Sequence, residues 1–185
     1  MEEEEKDCRI EETALSRRDF LLGAGASVVT IMLSSLPGMA YAKGTLQLLS
    51  SAYPKKKIGT ISGLKIDEPV EFSYPYEHPN CRNLLIRMGT KAAGGIGEQK
   101  DIVAFNLLCT HMGGSLDGTY RPEHKAMGPC PMHLTTFDLR RHGMIVAGHA
   151  TTTLPQIILT AEGDDIYATG VLGLIYGFHD NLSAP

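Results

Sequence analysis

From residue 70 onward, short apolar and β-branched runs alternate with turn-forming residues. Runs of four to six residues bounded by Gly, Pro, Asn or Asp are typical of strands rather than of helices. No long helical pattern separates them, so the spacing predicts an all-β fold, an antiparallel β-sandwich or barrel, instead of βαβ units. The predicted strands cover residues 70–74, 84–88, 102–107, 144–147, 156–159 and 165–169.

The composition predicts a folded domain that contains many turns. Of the 185 residues, 43% are hydrophobic, and the chain contains 20 Gly and 10 Pro. That hydrophobic fraction is enough for a buried core. The formal net charge of −4 gives no reason to expect nucleic acid as a partner. The basic run at 55–57 is expected to be a solvated turn, and the glycine-rich stretch at 94–97 a hairpin loop, since no helix pattern follows it.

The first 42 residues have the features of an export signal. After an acidic start, the string SRRDFL occupies residues 16–21, and an uncharged run of 23 residues, 20–42, ends on Ala-Tyr-Ala. These features are typical of a twin-arginine signal and predict export of the folded protein to the periplasm. The run is also long enough to remain as an anchor on the outer face of the inner membrane. We therefore expect an N-terminal segment at 1–42 and one domain at 43–185.

Two short boxes contain the residues best suited to metal chemistry. The first reads CTHMG at 109–113 and the second CPMH at 130–133, with eighteen residues between their histidine and cysteine. The Gly- and Pro-rich stretch between them predicts two facing loops, within about 108–138, rather than a helix. Two cysteines can hold one iron of a 2Fe–2S cluster and two histidines the other, which is the Rieske arrangement. The candidate ligands are Cys109, His111, Cys130 and His133.

A structural zinc site of two Cys and two His is the main competing interpretation. Zinc fingers usually pair Cys with Cys and His with His on separate elements. Each box here mixes the two residue types, which favours the two-iron cluster. Cys8 precedes the export signal, and Cys81 is expected to be a free thiol. The remaining histidines are expected to be structural or surface residues: His78, His124, His142, His149 and His179.

The boxes resemble those of the Rieske iron–sulfur protein superfamily, and the sequence around them resembles the small subunit of arsenite oxidase. The narrower resemblance covers nearly all of residues 53–177, whereas the boxes alone are specific only to the superfamily. It implies a Rieske-type fold with a small, loop-rich cluster-binding subdomain. The strings that carry it are KIG at 57–59, EPVEF at 68–72, GGIG at 94–97, IVAF at 102–105, GHAT at 148–151, LPQI at 154–157 and GLIYG at 173–177.

For function, the resemblance implies an electron-transfer subunit paired with a large molybdopterin subunit that oxidises arsenite. One Rieske-type cluster would pass electrons to a periplasmic cytochrome c or a blue copper protein. The chain itself shows no residues for the substrate chemistry. The second interpretation is the Rieske subunit of a quinol-oxidising cytochrome bc complex, which would keep the twin-arginine segment as an anchor. A ferredoxin for a cytoplasmic dioxygenase conflicts with the export signal.

The same resemblance identifies residues around the cluster. Many Rieske proteins carry an extra cysteine in each box, but Gly114 and Met132 stand at those positions, so no disulfide can clamp the loops. We expect Met112 and Met132 to pack over the cluster instead. Thr135 stands where a serine hydroxyl lies near a bridging sulfide, and Phe137 where a tyrosine lies near a cysteine sulfur. Hydrogen bonds to sulfur raise the reduction potential, so the missing phenol is expected to lower it.

Overall fold

The computed structural model describes residues 53–182, so the predicted export signal and possible anchor lie outside the described residues. Within 53–182, no helix is long and apolar enough to cross a membrane. Two short 3-10 helices cover Pro79–Cys81 and Leu139–Arg141. The strands are β1 (Lys56–Thr60), β2 (Val70–Ser73), β3 (Arg82–Arg87), β4 (Ile102–Asn106), β5 (Tyr120–Arg121), β6 (Ala126–Met127), β7 (Thr136–Asp138), β8 (Met144–Ala147), β9 (Gln156–Glu162) and β10 (Asp165–Leu172).

The strands form two sheets, and every pairing between strands is antiparallel. The larger sheet has the order β1-β10-β9-β4-β3-β2, and the smaller has the order β5-β6-β7-β8. The smaller sheet is inserted between β4 and β9 along the chain, and the second box lies in the loop between its strands β6 and β7. The predicted all-β, antiparallel architecture is therefore confirmed.

Strand β4 lies between two hydrophobic cores, which explains why its sequence is almost continuously apolar. All five of its residues are buried. Side chains alternate between the two faces of a strand, so Val103 and Phe105 enter one core while Ile102 and Ala104 enter the other. The first core also contains residues of β6 and β7, so it joins the smaller sheet to the larger one. The end of β4 leads directly into the first box.

The strand predicted at 144–147 has those bounds, the other five predicted strands are present with shifted ends, and four strands escaped prediction. Strands β5, β6 and β7 have only two or three residues each, too few for a hydrophobic period to be visible. The solvated turn expected at 55–57 is wrong, because residues 56 and 57 begin β1 at the edge of the larger sheet. Lys57 pairs with Asp165 at 2.7 Å and Lys55 with Glu162 at 2.5 Å, so the basic run faces carboxylates near the β9–β10 turn. The hairpin loop expected at 94–97 lies between β3 and β4 as predicted.

A polar contact joins the β5–β6 hairpin to the connection between β1 and β2. The Lys125 ammonium donates to Asp67 Oδ1 and Oδ2 at 2.7 Å each, and the Tyr120 hydroxyl donates to Oδ1 at 2.6 Å. Burial tends to raise the pKa of Asp67, but the hydrogen bonds with Lys125 and Tyr120 outweigh it and hold that pKa below its ordinary value. The smaller sheet is therefore tied to the larger one by a charged contact as well as by the shared core.

Candidate metal centre

The first box forms loop 1, residues 108–115, which follows β4. The backbone N–H of Cys109 donates to the carbonyl of Gly114 at 2.9 Å, and the N–H of Gly113 donates to the carbonyl of Cys109 at 2.8 Å. Gly113 has a φ of 70°, in the left-handed region that glycine adopts without strain. These two bonds close the loop around Cys109, whose side chain points into the first core.

The second box forms loop 2, residues 129–135, with the same hydrogen-bond pattern. The N–H of Cys130 donates to the carbonyl of Thr135 at 2.8 Å, and the N–H of Leu134 donates to the carbonyl of Cys130 at 2.9 Å. Leu134 occupies the position equivalent to Gly113 and has a φ of 62°. A bulky side chain in this region is strained, and Leu134 is also 65% exposed. The backbone strain and the exposed apolar side chain both disfavour leucine here, so we expect Leu134 to serve a function other than stabilising the fold.

The two loops bring the imidazoles of His111 and His133 together. Their ring centroids are 4.6 Å apart, and the rings meet at an interplanar angle of 83°. The Nδ1 atom of each ring is buried and has no hydrogen-bond partner. A buried polar atom without a partner is costly. Two such nitrogens on adjacent rings are the donors that a metal would satisfy.

The thiols of Cys109 and Cys130 form a second pair at the inner side of the loops. Both side chains are buried and unoxidised. Burial raises the pKa of the Cys109 thiol; the backbone N–H of His111 lowers it, and the adjacent Cys130 thiol raises it again. Two buried sulfurs side by side need a positive partner before both can be thiolates. The donor set therefore fits a metal centre.

The donors are arranged as two pairs rather than as one tetrahedron. Within residues 53–182, no three His, Cys, Asp or Glu side chains are close enough together to hold a single metal ion. A structural zinc ion takes all four ligands at one point, whereas a Rieske cluster takes the cysteines on one iron and the histidines on the other. The imidazole pair and the thiol pair fit the histidine and cysteine sides of such a cluster.

The side chains expected around the cluster are found near the loops. Thr135 and Phe137 are fully buried, and Phe137 lies in the same core as both cysteines. Met132 packs against loop 1, because a Cβ atom added to Gly114 would lie 2.8 Å from its Sδ atom. Met112 and Met132 are each 52% exposed. Met132 thus contacts loop 1, and the packing of both methionines over the cluster stays a prediction.

Three residues near the loops were missed from the sequence. His149 was expected to be an ordinary histidine, but its ring centroid lies 5.7 Å from that of His111. Leu134 gave no signal in the sequence, because its left-handed φ, like that of Gly113, is visible only in the structure. Tyr176 lies over loop 1, although the string that contains it was used only to identify a family. Cys81 is free and buried, as expected for a thiol outside the boxes.

Comparison with known proteins supports the chemistry of the donor set. A model of the Rieske [2Fe-2S] domain matches residues 85–158. The chain is 58% identical over 168 residues to iodate reductase subunit IdrB of Pseudomonas sp. (strain SCT), and the alignment covers 91% of this chain and 85% of that protein. It is 57% identical over 171 residues to iodate reductase subunit IdrB of Denitromonas iodatirespirans, and that alignment covers 92% of this chain and 89% of that protein.

More distant similarities concern only part of the chain or only the fold. The chain is 38% identical over 56 residues to the cytochrome bc1 complex Rieske iron-sulfur subunit of Streptomyces lividans, covering 30% of this chain and 32% of that protein. The soluble domain of the Rieske protein II (soxF) from Sulfolobus acidocaldarius has a similar fold, with a TM-score of 0.56 and 21% identity over 64% of this chain and 78% of that structure. The fold is therefore shared with that protein, and the matched Rieske [2Fe-2S] domain supports one Rieske-type 2Fe–2S cluster as the cofactor.

Proposed function

Because the chain belongs to the family of Rieske proteins that includes iodate reductase subunit IdrB, we propose that it is the electron-transfer subunit of a molybdopterin oxidoreductase of the iodate reductase kind. The observation that carries the proposal is the pairing of two buried thiols with two adjacent imidazoles. The chain is expected to have no substrate chemistry of its own, since that chemistry belongs to the large subunit.

The proposed ligands are the residues of the two boxes. Cys109 and Cys130 would hold one iron through their sulfurs, and His111 and His133 would hold the other through their Nδ1 atoms. When bound, the cluster takes up and releases one electron at a time. The buried cysteines keep water away from one side of the site. The histidines are only partly buried and give the other side an edge at the protein surface.

An exposed apolar surface surrounds that edge, and we call it the loop tip. It consists of Met112, Met132 and Leu134, each more than half exposed, around His111 and His133. Exposed apolar clusters are typical of interfaces, and methionine adapts well to a partner surface. The loop tip is therefore proposed to dock against the large molybdopterin subunit, which shortens the path for an electron between the two proteins.

The direction of electron flow depends on the reaction of the large subunit. Iodate reduction consumes electrons, so this chain would receive them from a periplasmic cytochrome c or blue copper protein and deliver them to the large subunit. Export by the twin-arginine route would place both subunits in the periplasm, with residues 20–42 removed or kept as an anchor. The proposal also divides the chain into an N-terminal export segment at 1–42 and a Rieske domain at 43–185.

Arsenite oxidase is the second candidate, because the strings that resemble its small subunit cover most of residues 53–177. Electrons would then run in the opposite direction, from the large subunit to the periplasmic protein. Identities of 57–58% over more than nine-tenths of the chain favour iodate reductase. The cytochrome bc interpretation is weaker, since that similarity extends over only 56 residues.

One spectroscopic experiment distinguishes these candidates. The chain is reduced and mixed with iodate, alone and in complex with its large subunit, while electron paramagnetic resonance (EPR) reports the reduced cluster. We expect iodate to abolish the signal only in the complex. Oxidation of the isolated chain at the same rate would contradict the relay function. A signal that arsenite generates from the oxidised complex, with no effect of iodate, would favour arsenite oxidase.

A further inference from the structure

Tyr176, in the segment that follows β10, lies directly over loop 1. A Cβ atom added to Gly113 would lie 2.5 Å from both Cδ1 and Cε1 of the Tyr176 ring. Real Cβ atoms do not approach other atoms so closely, so only glycine fits beneath the ring. Gly113 is two residues from His111 and closes the hydrogen-bonded turn around Cys109. The ring therefore contacts loop 1 just after its two proposed metal donors, Cys109 and His111.

The segment that carries Tyr176 is itself firmly held. The side chain of Ile175 is fully buried in the second core. The buried Asn181 side chain accepts from the N–H of Ile175 at 2.9 Å and donates to the carbonyl of Gly173 at 2.8 Å. It also donates to the hydroxyl of Tyr53 at 3.1 Å. Tyr176 is 40% exposed, yet its backbone is fixed on both sides.

Two asparagines connect the same segment to the beginning of loop 1. The Asn80 amide donates to the carbonyl of Tyr176 at 3.1 Å. The carbonyl of Asn80 accepts from the Asn106 amide at 2.8 Å, and Asn106 Oδ1 accepts from the N–H of Leu108 at 3.0 Å. Loop 1 is thus attached to the larger sheet at its start by Asn106 and near its end by the Tyr176 ring. No disulfide performs this task among the described cysteines.

We propose that Tyr176 is a positioning residue for the metal centre: its ring holds loop 1 against the larger sheet and so fixes the orientation of His111. This inference rests on the proposed function, because it takes His111 as a ligand. The contact between Met132 and Gly114 joins the two loops to each other. The Tyr176 contact does something different, since it joins loop 1 to the segment after β10, which is anchored in the second core.

The test compares variants of the full chain that are purified with the cluster. Tyr176→Ala removes the ring, and Tyr176→Phe keeps it without the hydroxyl. Leu174→Ala is the matched control, because Leu174 is an exposed apolar residue of the same segment. The measurements are the EPR line width of the reduced cluster and the rate at which an iron chelator bleaches the visible absorption. We expect Tyr176→Ala to broaden the lines and to speed bleaching about tenfold, as for loss of an aromatic contact. Tyr176→Phe and Leu174→Ala should behave like the wild type.

A second arm uses glycines with the same backbone conformation. Gly113→Ala introduces both a left-handed alanine and a clash with Tyr176, whereas Gly118→Ala introduces only the former, since nothing lies within 4 Å of a Cβ there. We expect the cluster of Gly113→Ala to bleach faster than that of Gly118→Ala. In the double variant Gly113→Ala/Tyr176→Ala the clash is absent, so part of this difference in bleaching rate should disappear. Absence of this relief would overturn the proposal, as would identical behaviour of Tyr176→Phe and Tyr176→Ala. A wild-type chain without iron would instead overturn the proposed function and this inference together.

Discussion

The hydroxyl oxygen of Thr135, in loop 2, accepts a hydrogen bond from the backbone N–H of His149 at 3.2 Å. Because that oxygen is an acceptor here, the hydroxyl hydrogen remains available to donate, and we expect the sulfur of Cys109 to accept it. Thr135 is fully buried, and water cannot replace this donor. The expectation that the Thr135 hydroxyl lies near a bridging sulfide stays a prediction.

Removal of that hydroxyl is expected to lower the reduction potential. A hydrogen bond to a charged acceptor contributes about 1.5–3 kcal/mol, and the reduced cluster gains most of it because it is more negative. Since about 59 mV corresponds to a tenfold change for one electron, Thr135→Val should lower the midpoint potential by about 50–100 mV. Thr135→Ser, which keeps the hydroxyl, should stay near the wild type in the same redox titration. An unchanged potential in Thr135→Val would show that the bond does not reach the cluster.

Addition of a hydroxyl at Phe137 is expected to do the opposite. Phe137 is fully buried in the core that contains Cys109 and Cys130, and their sulfurs are acceptors there. Phe137→Tyr should raise the midpoint potential by about 50–100 mV if its phenol donates to one of them. Phe137→Leu controls for the change in packing, because it adds no donor. A Phe137→Tyr protein with an intact cluster and an unchanged potential would mean that the ring edge faces away from the sulfurs.

The strained position of Leu134 predicts opposite effects on stability and on docking. Asparagine tolerates the left-handed region better than leucine, so Leu134→Asn should keep or raise the midpoint of urea unfolding. The same change removes exposed apolar surface from the loop tip and should weaken binding to the large subunit about tenfold, as for a typical anchor residue. Titration of the complex by calorimetry measures the affinity.

Ile66→Asn is the control for this change. Ile66 is exposed to a similar extent and bridges to Arg87, at the end of the β3–β4 pair opposite loop 1. Its replacement should leave the affinity for the large subunit unchanged. Equal weakening by both variants would contradict the assignment of the loop tip as the docking surface.

The contact between Asp67 and Lys125 predicts how stability depends on pH. The pKa of Asp67 in the folded chain lies below its ordinary value. Its contribution is therefore complete above the unfolded pKa, about 3.9, and is lost as the pH falls through the folded pKa. Asp67→Asn should cost about 1–2 kcal/mol at pH 7. Asparagine also suits the positive φ of this residue, so backbone strain is not altered.

Urea unfolding followed by circular dichroism at pH 7 and at pH 3 tests this prediction. The difference between the wild type and Asp67→Asn should shrink at the lower pH. Glu68→Gln is the control, because its ion pair with Lys65 is exposed and should add little at any pH. A difference that stays constant with pH would show that the Asp67 charge does not contribute.

The fold and the two loops that hold the four candidate donors could be predicted from sequence because their signals are local. The longer strands show alternating or continuous apolar positions, and the two boxes place Cys and His at loop spacing. Strands of two or three residues, such as those of the smaller sheet, contain too few positions for a period. The edge strand β1 was hidden by its lysines, which resemble a turn until their carboxylate partners near residues 162–165 are known.

Long-range contacts account for what the sequence analysis missed around the site. Tyr176 reaches Gly113 across 63 residues of chain, and His149 reaches His111 across 38. No local pattern records such a contact. The strain at Leu134 is likewise a property of the backbone of loop 2, and leucine at that position looks ordinary in the sequence. These are the residues at which the structure adds most to the account of function.

The most direct test of the account is the metal content of the purified chain, measured together with the EPR spectrum after reduction. We expect two irons and two acid-labile sulfides per chain, essentially no zinc, and a rhombic signal of the Rieske type. His111→Ala and His133→Ala should each abolish the signal, because one iron would lose half of its protein donors. One zinc ion per chain and no such signal in the wild type would contradict the account.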